Sequence, residues 1–256
     1  MTMQSAADFD PLPESSAGGK RARKCDSVYQ DLKRKILTGE LTSDSPITEQ
    51  SLAQDYGCSQ STIREALLIL QQYGLVIRRG YQGTFVTDPG SVEAMLLLKL
   101  RTDIEVTGIA KAATRITQDQ ICNLRSMAER YNQSRKRRDV FLGAELDRGF
   151  HLTLFRTSEM PVLEPMLLRS IMMLQLVLLK VPRSEQAWNS PPITRHSSIL
   201  DALDRRDVDG SVEAMRDHIL SSATLLAPHI YGTDTQKLRR TFEQEPERFS
   251  SLAGSR

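Results

Sequence analysis

One carboxylate and three imidazoles in the second half of the chain are the residues best suited to chemistry. Asp147 and His151 are four residues apart, so on a helix they share one face. His196 and His218 lie farther along the chain. Together the four side chains form a suitable ligand set for a divalent transition metal. Spacing alone leaves a second interpretation open, because a lone Asp–His pair on a helix is more often a surface hydrogen bond.

Other signatures of catalysis are missing from the sequence. It contains no HExxH motif, no nucleophile elbow, no glycine-rich phosphate-binding loop and no acidic motif placed as a general base. A metal ion with open coordination positions can still activate water. A metal-dependent hydrolase fused to a DNA-binding domain is therefore an alternative function, although the absent general base weighs against it.

The elements that position these residues are predicted to be helices almost throughout. Thr117 is a predicted N-cap with Gln120 completing a capping box, and Asp207 is a predicted cap for a later helix. Helices are expected over about residues 141–157, 162–181, 194–205 and 208–227. The apolar run at 163–181 is interrupted by charged residues, which favours a buried helix over a membrane span.

The first half of the chain has the pattern of a helix-turn-helix. Two short helices are predicted within residues 49–74, with the turn at Gly57 and Ser59 as N-cap of the second helix. Ile63 and Leu67 belong to one apolar face, while the opposite face, including Thr62, is expected to meet solvent. The second helix of such a motif inserts its N-terminal side chains into the DNA major groove.

A hairpin is predicted directly after that helix. Residues 74–86 contain two apolar runs separated by a basic, glycine-containing turn, which is typical of a wing. Arg78 and Arg79 at the turn are expected to reach phosphates or the minor groove. The candidate DNA-binding residues are Gln50, Ser59, Gln60, Ser61, Thr62, Arg64, Arg78, Arg79 and Gly80.

Composition is that of a globular protein with two domains. The chain has 256 residues, 39% hydrophobic and 26% charged, with a net charge of +2. This small charge favours no class of partner, so a DNA-binding face must come from the placement of basic side chains. The three cysteines have no metal-binding or redox spacing, and the N-terminus has no signal-peptide pattern, so we expect a cytoplasmic protein.

The segments at the ends and between the domains are predicted from composition. We expect a disordered tail at 1–26, a winged helix-turn-helix at 27–88, a linker at 89–93, a helical ligand- and metal-binding domain at 94–232, and a polar C-terminal tail at 233–256. Asp26 or Ser27 is the predicted cap of the first helix. The predicted fold class is therefore mainly α, with an N-terminal winged helix-turn-helix and a C-terminal all-α helical bundle.

Four motifs in the first half resemble the winged-helix domain of GntR-type bacterial transcription regulators. They are the segments 28–41 (VYQDLKRKILTGEL), 47–53 (ITEQSLA), 63–67 (IREAL) and 83–86 (GTFV). Arg64 matches one of the base-reading arginines of that family. The residue after Ser59 is usually arginine in the family and is Gln60 here, so the family's usual operator sequence is in doubt.

The second half resembles the helical effector domain of the FadR branch of the same family, called the FCD domain. The resemblance rests on Arg101-x-x-x-Glu105, Asp147-x-x-Phe150-His151, a motif from His196 to Asp207, and Ala214-Met215-x-x-His218-Ile219. It implies that Asp147, His151, His196 and His218 hold a metal ion, with zinc favoured over nickel, manganese or iron. It also implies a small carboxylate effector, for which Arg101 is a candidate anchor. Arg169, inside the apolar run at 163–181, is a second candidate, and it is either a pocket arginine or an edge residue whose charged end reaches solvent. His229 has no motif partner and is not a predicted ligand.

The resemblance implies a homodimeric transcription regulator, more often a repressor, that binds a near-palindromic operator in the bacterial cytoplasm and nucleoid. Its effector would control the affinity for DNA. A second alternative is an architectural DNA-binding protein whose C-terminal half only dimerises around a structural metal. The ion pair of Arg101 with Glu105, four residues apart on a helix, remains an equally good account of that arginine.

Overall fold

The computed structural model describes residues 19–80, 83–179 and 196–243. Within these ranges the chain forms eleven helices and one two-stranded sheet. The N-terminal elements are α1 (Gly19–Leu37), α2 (Glu49–Asp55), α3 (Gln60–Gln72), β1 (Val76–Arg78) and β2 (Thr84–Val86). The C-terminal elements are α4 (Ser91–Ala112), α5 (Gln118–Lys136), α6 (Val140–Arg156), α7 (Glu164–Leu179), α8 (His196–Asp204), α9 (Val208–Leu226), α10 (Pro228–Tyr231) and α11 (Thr235–Glu243).

The predicted winged helix-turn-helix is present. Thr48 caps α2 and Ser59 caps α3, each with a side-chain oxygen that accepts a backbone N–H bond from three residues farther on. The strands β1 and β2 pair antiparallel with Val76 opposite Val86. The part of the wing at residues 81–82 lies outside the described residues, as do the tail at 1–18, the loop predicted around residues 191–192, and residues 244–256.

The C-terminal elements form the predicted helical bundle. Both predicted caps are confirmed: Thr117 and Gln120 form a capping box at α5, and Asp207 accepts a bond from the backbone of Gly210 at α9. Helix α4 packs against α6, α7 and α9, while α5 packs against α6 and α8. In the described ranges, no helix combines the length and apolar character needed to cross a membrane.

Three predicted boundaries differ from the structure. Helix α1 begins at Gly19 and not at Asp26 or Ser27, because the intervening alanine, lysine and arginine residues are good helix formers. Helix α4 begins at Ser91, inside the predicted linker, where the Glu93 carboxylate accepts a bond from the backbone N–H of Gly90 at 2.9 Å. The segment 235–243, predicted to be part of a polar tail, forms α11.

The helical α11 has a physical cause that composition conceals. Leu238 and Phe242 are four residues apart and are both buried against the bundle, so a mostly polar segment still has one apolar face. The prediction of a tail was wrong because it relied on the average polarity of the segment, which does not show the spacing of its two apolar residues.

Two hydrophobic cores organise the chain. The first lies inside the bundle, between α4, α5, α6, α8 and α9. The second joins the winged helix to the bundle, because side chains such as Leu32 of α1 and Leu67 of α3 share it with Phe155 of α6 and with Ile171 and Met172 of α7. The winged helix therefore packs directly on the bundle through a common core.

A buried group of charges lies across this same contact. Nζ of Lys33 in α1 donates to the Glu145 carboxylate of α6 at 2.9 Å, and Arg148 donates to both oxygens of that carboxylate at 2.5 and 2.6 Å. Gln175 of α7 accepts from Arg148 at 3.4 Å. The three charged side chains are at most 1% exposed. Although burial alone would raise it, the pKa of Glu145 is lowered by Arg148 and Lys33, so the carboxylate stays ionised.

We expect Glu145→Gln to lower the free energy of unfolding by about 3–5 kcal/mol, because two buried cations, Lys33 and Arg148, would then lose the carboxylate that binds them both. The measurement is urea unfolding. Glu159→Gln is the matched control, since Glu159 pairs with Arg115 at the surface and its loss should cost at most about 1 kcal/mol. Equal losses for the two variants would contradict a structural role for the buried charges.

Candidate metal centre and DNA-binding face

The structure brings together the four predicted metal ligands. Asp147 and His151 lie on α6, His196 is the first residue of α8, and His218 lies on α9. One ligand atom of each side chain can be chosen so that all four lie within 4.8 Å of one another. The three imidazoles are at most 3% exposed, whereas Asp147 is 24% exposed, so the cluster is open on the Asp147 side.

The distances within the cluster suit a shared ion. Nε2 of His151 is 3.0 Å from Nε2 of His218, and Oδ1 of Asp147 is 3.2 Å from Nε2 of His196. The same Oδ1 is 3.8 and 3.9 Å from the other two imidazoles. Donors about 2.1 Å from one ion lie about 3.0 Å apart at right angles and about 3.4 Å apart in a tetrahedron. The cluster, whose ligand atoms lie up to 4.8 Å apart, is thus wider than a bound metal shell.

The donor chemistry also fits a cation. Nε2 of His196 is buried and makes no hydrogen bond with suitable geometry, although it lies beside Asp147. A buried polar atom without a partner is costly, and a metal ion in the cluster would satisfy it. The ring of His196 is held by Phe150 and Tyr131, with centroids at 4.1 and 4.9 Å.

Two further residues orient His151. The Nδ1 atom of His151 is hydrogen-bonded to the Glu105 carboxylate, whose other oxygen accepts from Nε of Arg101 at 2.6 Å. A proton held at Nδ1 leaves the Nε2 lone pair directed into the cluster. A carboxylate behind a histidine ligand fixes its tautomer and orientation in metal sites. Glu105 was predicted only as a partner of Arg101; its proximity to His151 depends on how α4 packs on α6.

Burial and electrostatics favour the metal-binding forms of Asp147, His196 and His218. Burial lowers the pKa of His196, and burial together with the neighbouring imidazoles lowers the pKa of His218 further. Burial alone would raise the pKa of Asp147, but its interactions with His151, His196 and His218 outweigh this effect and lower the pKa. Neutral imidazoles and an ionised carboxylate are the forms that bind metal.

A cavity of about 340 Å³ reaches this cluster at His218. Its lining is mainly hydroxyl, amide and carboxylate groups, from Ser198, Asp217, Ser221, Thr235 and Gln236, with Ala214. Thr235 and Gln236 belong to α11, the helix that the sequence analysis missed. The cavity thus places a polar surface beside one of the four predicted ligands.

The two arginines predicted to anchor an effector lie in different places. Arg101 is buried beside the cluster, with Nη2 4.0 Å from Oδ2 of Asp147, and it also makes the predicted ion pair with Glu105. Arg169 lies away from the metal ligands: its Nη1 donates to the backbone carbonyls of Gln71 and Gln72 at 3.2 and 2.6 Å. It thereby satisfies the last carbonyls of α3. The effector-binding roles of Arg101 and Arg169 both stay predictions, with Arg101 beside the predicted metal ligands and Arg169 at the end of α3.

The predicted DNA-binding residues, which together we call the DNA-binding face, are exposed with one exception. Exposed members of the set are Gln50 of α2, Ser59, Gln60, Ser61 and Arg64 at the start of α3, and Arg78, Arg79 and Gly80 of the wing. Thr62, expected to face solvent, is only 4% exposed, because its hydroxyl turns back to the Ser59 hydroxyl at 2.9 Å. Arg79 stacks over Phe85 with 5.1 Å between guanidinium carbon and ring centroid.

Glu49 is a residue of this face that the sequence analysis did not single out. Its carboxylate accepts three bonds from Arg64 at 2.6, 3.0 and 3.1 Å and one from Arg78 at 3.3 Å. Arg64 and Arg78 lie 15 and 29 residues after Glu49 in the sequence, so no short-range sequence pattern predicts these contacts.

Comparisons with known proteins agree with this architecture. Residues 24–86 match the profile of the "Bacterial regulatory proteins, gntR family", and residues 96–221 match the FCD domain. The chain is 26% identical over 197 residues to the HTH-type transcriptional repressor RspR of Escherichia coli (strain K12), covering 75% of this chain and 84% of that protein. It is also 26% identical over 136 residues to the HTH-type transcriptional regulator McbR of the same strain, covering 53% of this chain but only 62% of McbR.

A solved structure supports the fold. The structure of E. coli McbR/YncC has a TM-score of 0.68 to this chain at 21% identity, covering 79% of this chain and 96% of that one. At this level of identity the likeness concerns the arrangement of the helices and the wing. This likeness does not show which site residues of the two proteins correspond.

We expect Arg64→Ala to weaken binding to the operator by about 1–3 kcal/mol, because an arginine one turn into α3 is placed to read a base edge. The operator would first be selected by the wild-type protein from a randomised duplex library. Binding to a scrambled duplex should change little. An equal loss on both duplexes would show that Arg64 contacts phosphate only.

We expect Arg79→Ala to weaken binding to the selected and scrambled duplexes by similar factors, since a wing arginine mainly displaces counterions. The slope of log affinity against log salt concentration should become shallower by about one. An unchanged slope in this titration would argue against contact between the wing and DNA.

Proposed function

This chain belongs to the GntR family of bacterial DNA-binding transcription regulators, and we propose that a small carboxylate bound at a metal ion in its FCD domain controls its affinity for an operator. The observation that carries the proposal is the convergence of Asp147, His151, His196 and His218 into one buried cluster. The family is one of regulators and not of enzymes. The metal-dependent hydrolase alternative therefore has no support from the relatives, whose names describe regulators and repressors.

The donor set explains why the ligand would be an anion. Three neutral imidazoles and one carboxylate leave a divalent ion with a net positive charge, and the ion when bound offers open positions to carboxylate oxygens. Zinc suits this donor set best, and nickel, manganese and iron are also compatible with it. The partial exposure of Asp147 and the polar cavity at His218 provide the approach.

Arg101 would be the second anchor of the carboxylate. Its guanidinium lies 4.0 Å from Asp147 and uses Nε on Glu105, so other donors of its fork can serve an anion. The same Glu105 holds His151. An effector at Arg101 would therefore meet the ion and its supporting residues together.

The route from this site to the DNA-binding face runs through α6. Asp147 and His151 project from α6 into the cluster, while Glu145 and Arg148, on the same helix, form the buried charge group with Lys33 of α1. A shift of α6 on effector binding would move the partner of Lys33 and thereby α1, which packs on α3. Arg169 adds a second connection, from α7 to the C-terminal end of α3.

We propose that the protein acts as a homodimer in the bacterial cytoplasm on a near-palindromic operator. Two copies would place two α3 helices in successive major grooves about one DNA turn apart. An exposed apolar stripe on α4 supports pairing: Val92, Leu96 and Leu100 recur every four residues and are each about 45% exposed. We infer that the protein represses transcription and that the effector releases it from the operator, because the related protein RspR is named a repressor.

The proposal is tested by a screen of small carboxylates for thermal stabilisation, followed by operator binding with each hit. A sensor is stabilised by its acid, leaves it chemically unchanged and binds its operator differently. A hydrolase would consume the acid. An architectural protein, the remaining alternative, would show no stabilisation by any acid and no change in DNA affinity.

We expect the purified protein to carry about one divalent transition-metal ion per chain, and we expect His218→Ala to lose most of it. One imidazole fewer leaves the ion with three protein ligands and an additional solvent-exposed position. Elemental analysis of the two proteins is the measurement, and non-specific DNA binding should be nearly unchanged because α3 and the wing are intact.

His229→Ala is the control for this experiment, because His229 is exposed on α10 and lies outside the cluster. A wild-type protein without metal after supplementation would refute the metal site. So would a loss of metal from His229→Ala that equals the loss from His218→Ala.

We expect sedimentation at micromolar concentration to show a dimer, and Leu96→Glu to shift it toward the monomer, because a charge within an apolar interface lacks a partner. Leu68→Glu is a control with a similar starting exposure, 50% against 45%, on the DNA-binding helix α3. A wild-type monomer that still binds its operator tightly would contradict the proposed pairing.

A further inference from the structure

Glu49 joins the two DNA-binding elements at a single carboxylate. It lies in the first turn of α2, and it accepts bonds from Arg64 of α3 and from Arg78 at the end of β1. The three residues come from three different elements, so this carboxylate fixes the position of the recognition helix relative to the wing at the face that would meet DNA.

The geometry of the Arg64 contact is specific. Nε of Arg64 lies 3.0 and 3.1 Å from the two oxygens of Glu49, and Nη2 lies 2.6 Å from one of them. The carboxylate therefore occupies the side edge of the guanidinium, formed by Nε and Nη2. The end edge, formed by Nη1 and the outer N–H of Nη2, is not used by Glu49.

The end edge is the one that can still bind a base. Its two parallel N–H groups match the O6 and N7 acceptors of guanine in the major groove. The Arg64 side chain is 56% exposed, which leaves it accessible to such a partner. Arg64 can therefore bind Glu49 and a guanine at the same time. The ion pair with Glu49 already restricts the rotamers of the Arg64 side chain, so binding to guanine costs less conformational entropy.

We propose that Glu49 is a positioning residue for DNA recognition, which sets the preference for operator over random DNA by holding the Arg64 guanidinium with its end edge toward the bases. Glu49 itself repels phosphate, so it weakens non-specific binding while it supports the specific contact. The inference rests on the proposed base-reading role of Arg64. The lowered pKa of Glu49, caused first by its hydrogen bonds with Arg64, keeps the carboxylate ionised.

The test compares affinity for the operator selected from a randomised library with affinity for a scrambled duplex of equal length. We expect Glu49→Gln to lower the ratio of the two affinities by roughly tenfold, with binding to the scrambled duplex unchanged or stronger. Glu49→Asp should lower the ratio in the same direction, because the shorter side chain cannot keep both oxygens on Arg64. Thermal unfolding of each variant verifies that the fold is retained.

Asp55→Asn is the matched control. Asp55 is an exposed carboxylate at the other end of α2, so its removal changes the charge of the same helix by the same amount. It should alter both affinities by similar factors and leave the ratio unchanged. An Asp55→Asn effect on the ratio as large as that of Glu49→Gln would show that bulk charge is responsible, which overturns the proposal.

A double-mutant cycle identifies the route of the effect. In an Arg64→Ala background, Glu49→Gln should lower the ratio no further, because its effect acts through Arg64. An additive loss would overturn the proposal, and so would an unchanged ratio in the Glu49→Gln single variant. Tighter operator binding by Glu49→Gln would also overturn it, because Glu49 would then compete with DNA for Arg64. If the Arg64→Ala single variant keeps the wild-type ratio, Arg64 does not read a base and the proposed function of Arg64 is wrong. If Arg64→Ala lowers the ratio but Glu49→Gln leaves it unchanged, only the positioning role of Glu49 is wrong.

Discussion

The buried ion pair between Lys33 and Glu145 is the constraint on which the relation of the two domains depends. Taking an ammonium group and a carboxylate out of water is costly, and the arrangement is tolerated only when each charge has partners in good geometry. Glu145 has such partners from both sides, since Arg148 grips both of its oxygens and Lys33 reaches it from α1. Any displacement of α1 along α6 would separate these charges inside a buried interface. The winged helix is thus held to one placement on the bundle far more strictly than a shared apolar core alone would require.

This constraint connects the candidate metal centre to the DNA-binding face through a short chain of contacts. Helix α6 carries Glu145 and Asp147 two residues apart, so a change in the metal shell reaches the buried ion pair within a single helical turn. Packed helices respond to such a change by moving between discrete arrangements. Because α1 packs on α3, and Arg169 of α7 binds the last carbonyls of α3, the recognition helix is held from two directions by the bundle that contains the candidate metal centre.

Much of this architecture follows from local sequence patterns. The caps at Ser59, Thr117 and Asp207 were predictable because an N-cap is a contact between residues three positions apart, and the helices of the bundle followed from their periodicity. The Asp147–His151 pair was visible as i,i+4 spacing, but the approach of His196 and His218 was implied only by the resemblance to a family. The polar segment at 235–243 was misjudged because only two apolar residues, Leu238 and Phe242, define its buried face.

The polar contacts between distant segments that escaped prediction share one property: each joins residues far apart in sequence through a charged side chain. Glu105 meets His151 across 46 residues, Lys33 meets Glu145 across 112, and Arg169 meets Gln71 across 98. Spacing rules apply within an element, whereas these contacts depend on how elements pack. A charged residue within an apolar run, such as Arg169, is a sign that a partner exists but does not identify it. In the structure Arg169 meets the end of a helix, whose last carbonyls attract a cation as an anionic ligand would. Both kinds of partner present oxygen atoms to a guanidinium, so the sequence alone could not distinguish a ligand anchor from a helix cap, and the contact with α3 depends on how α7 packs.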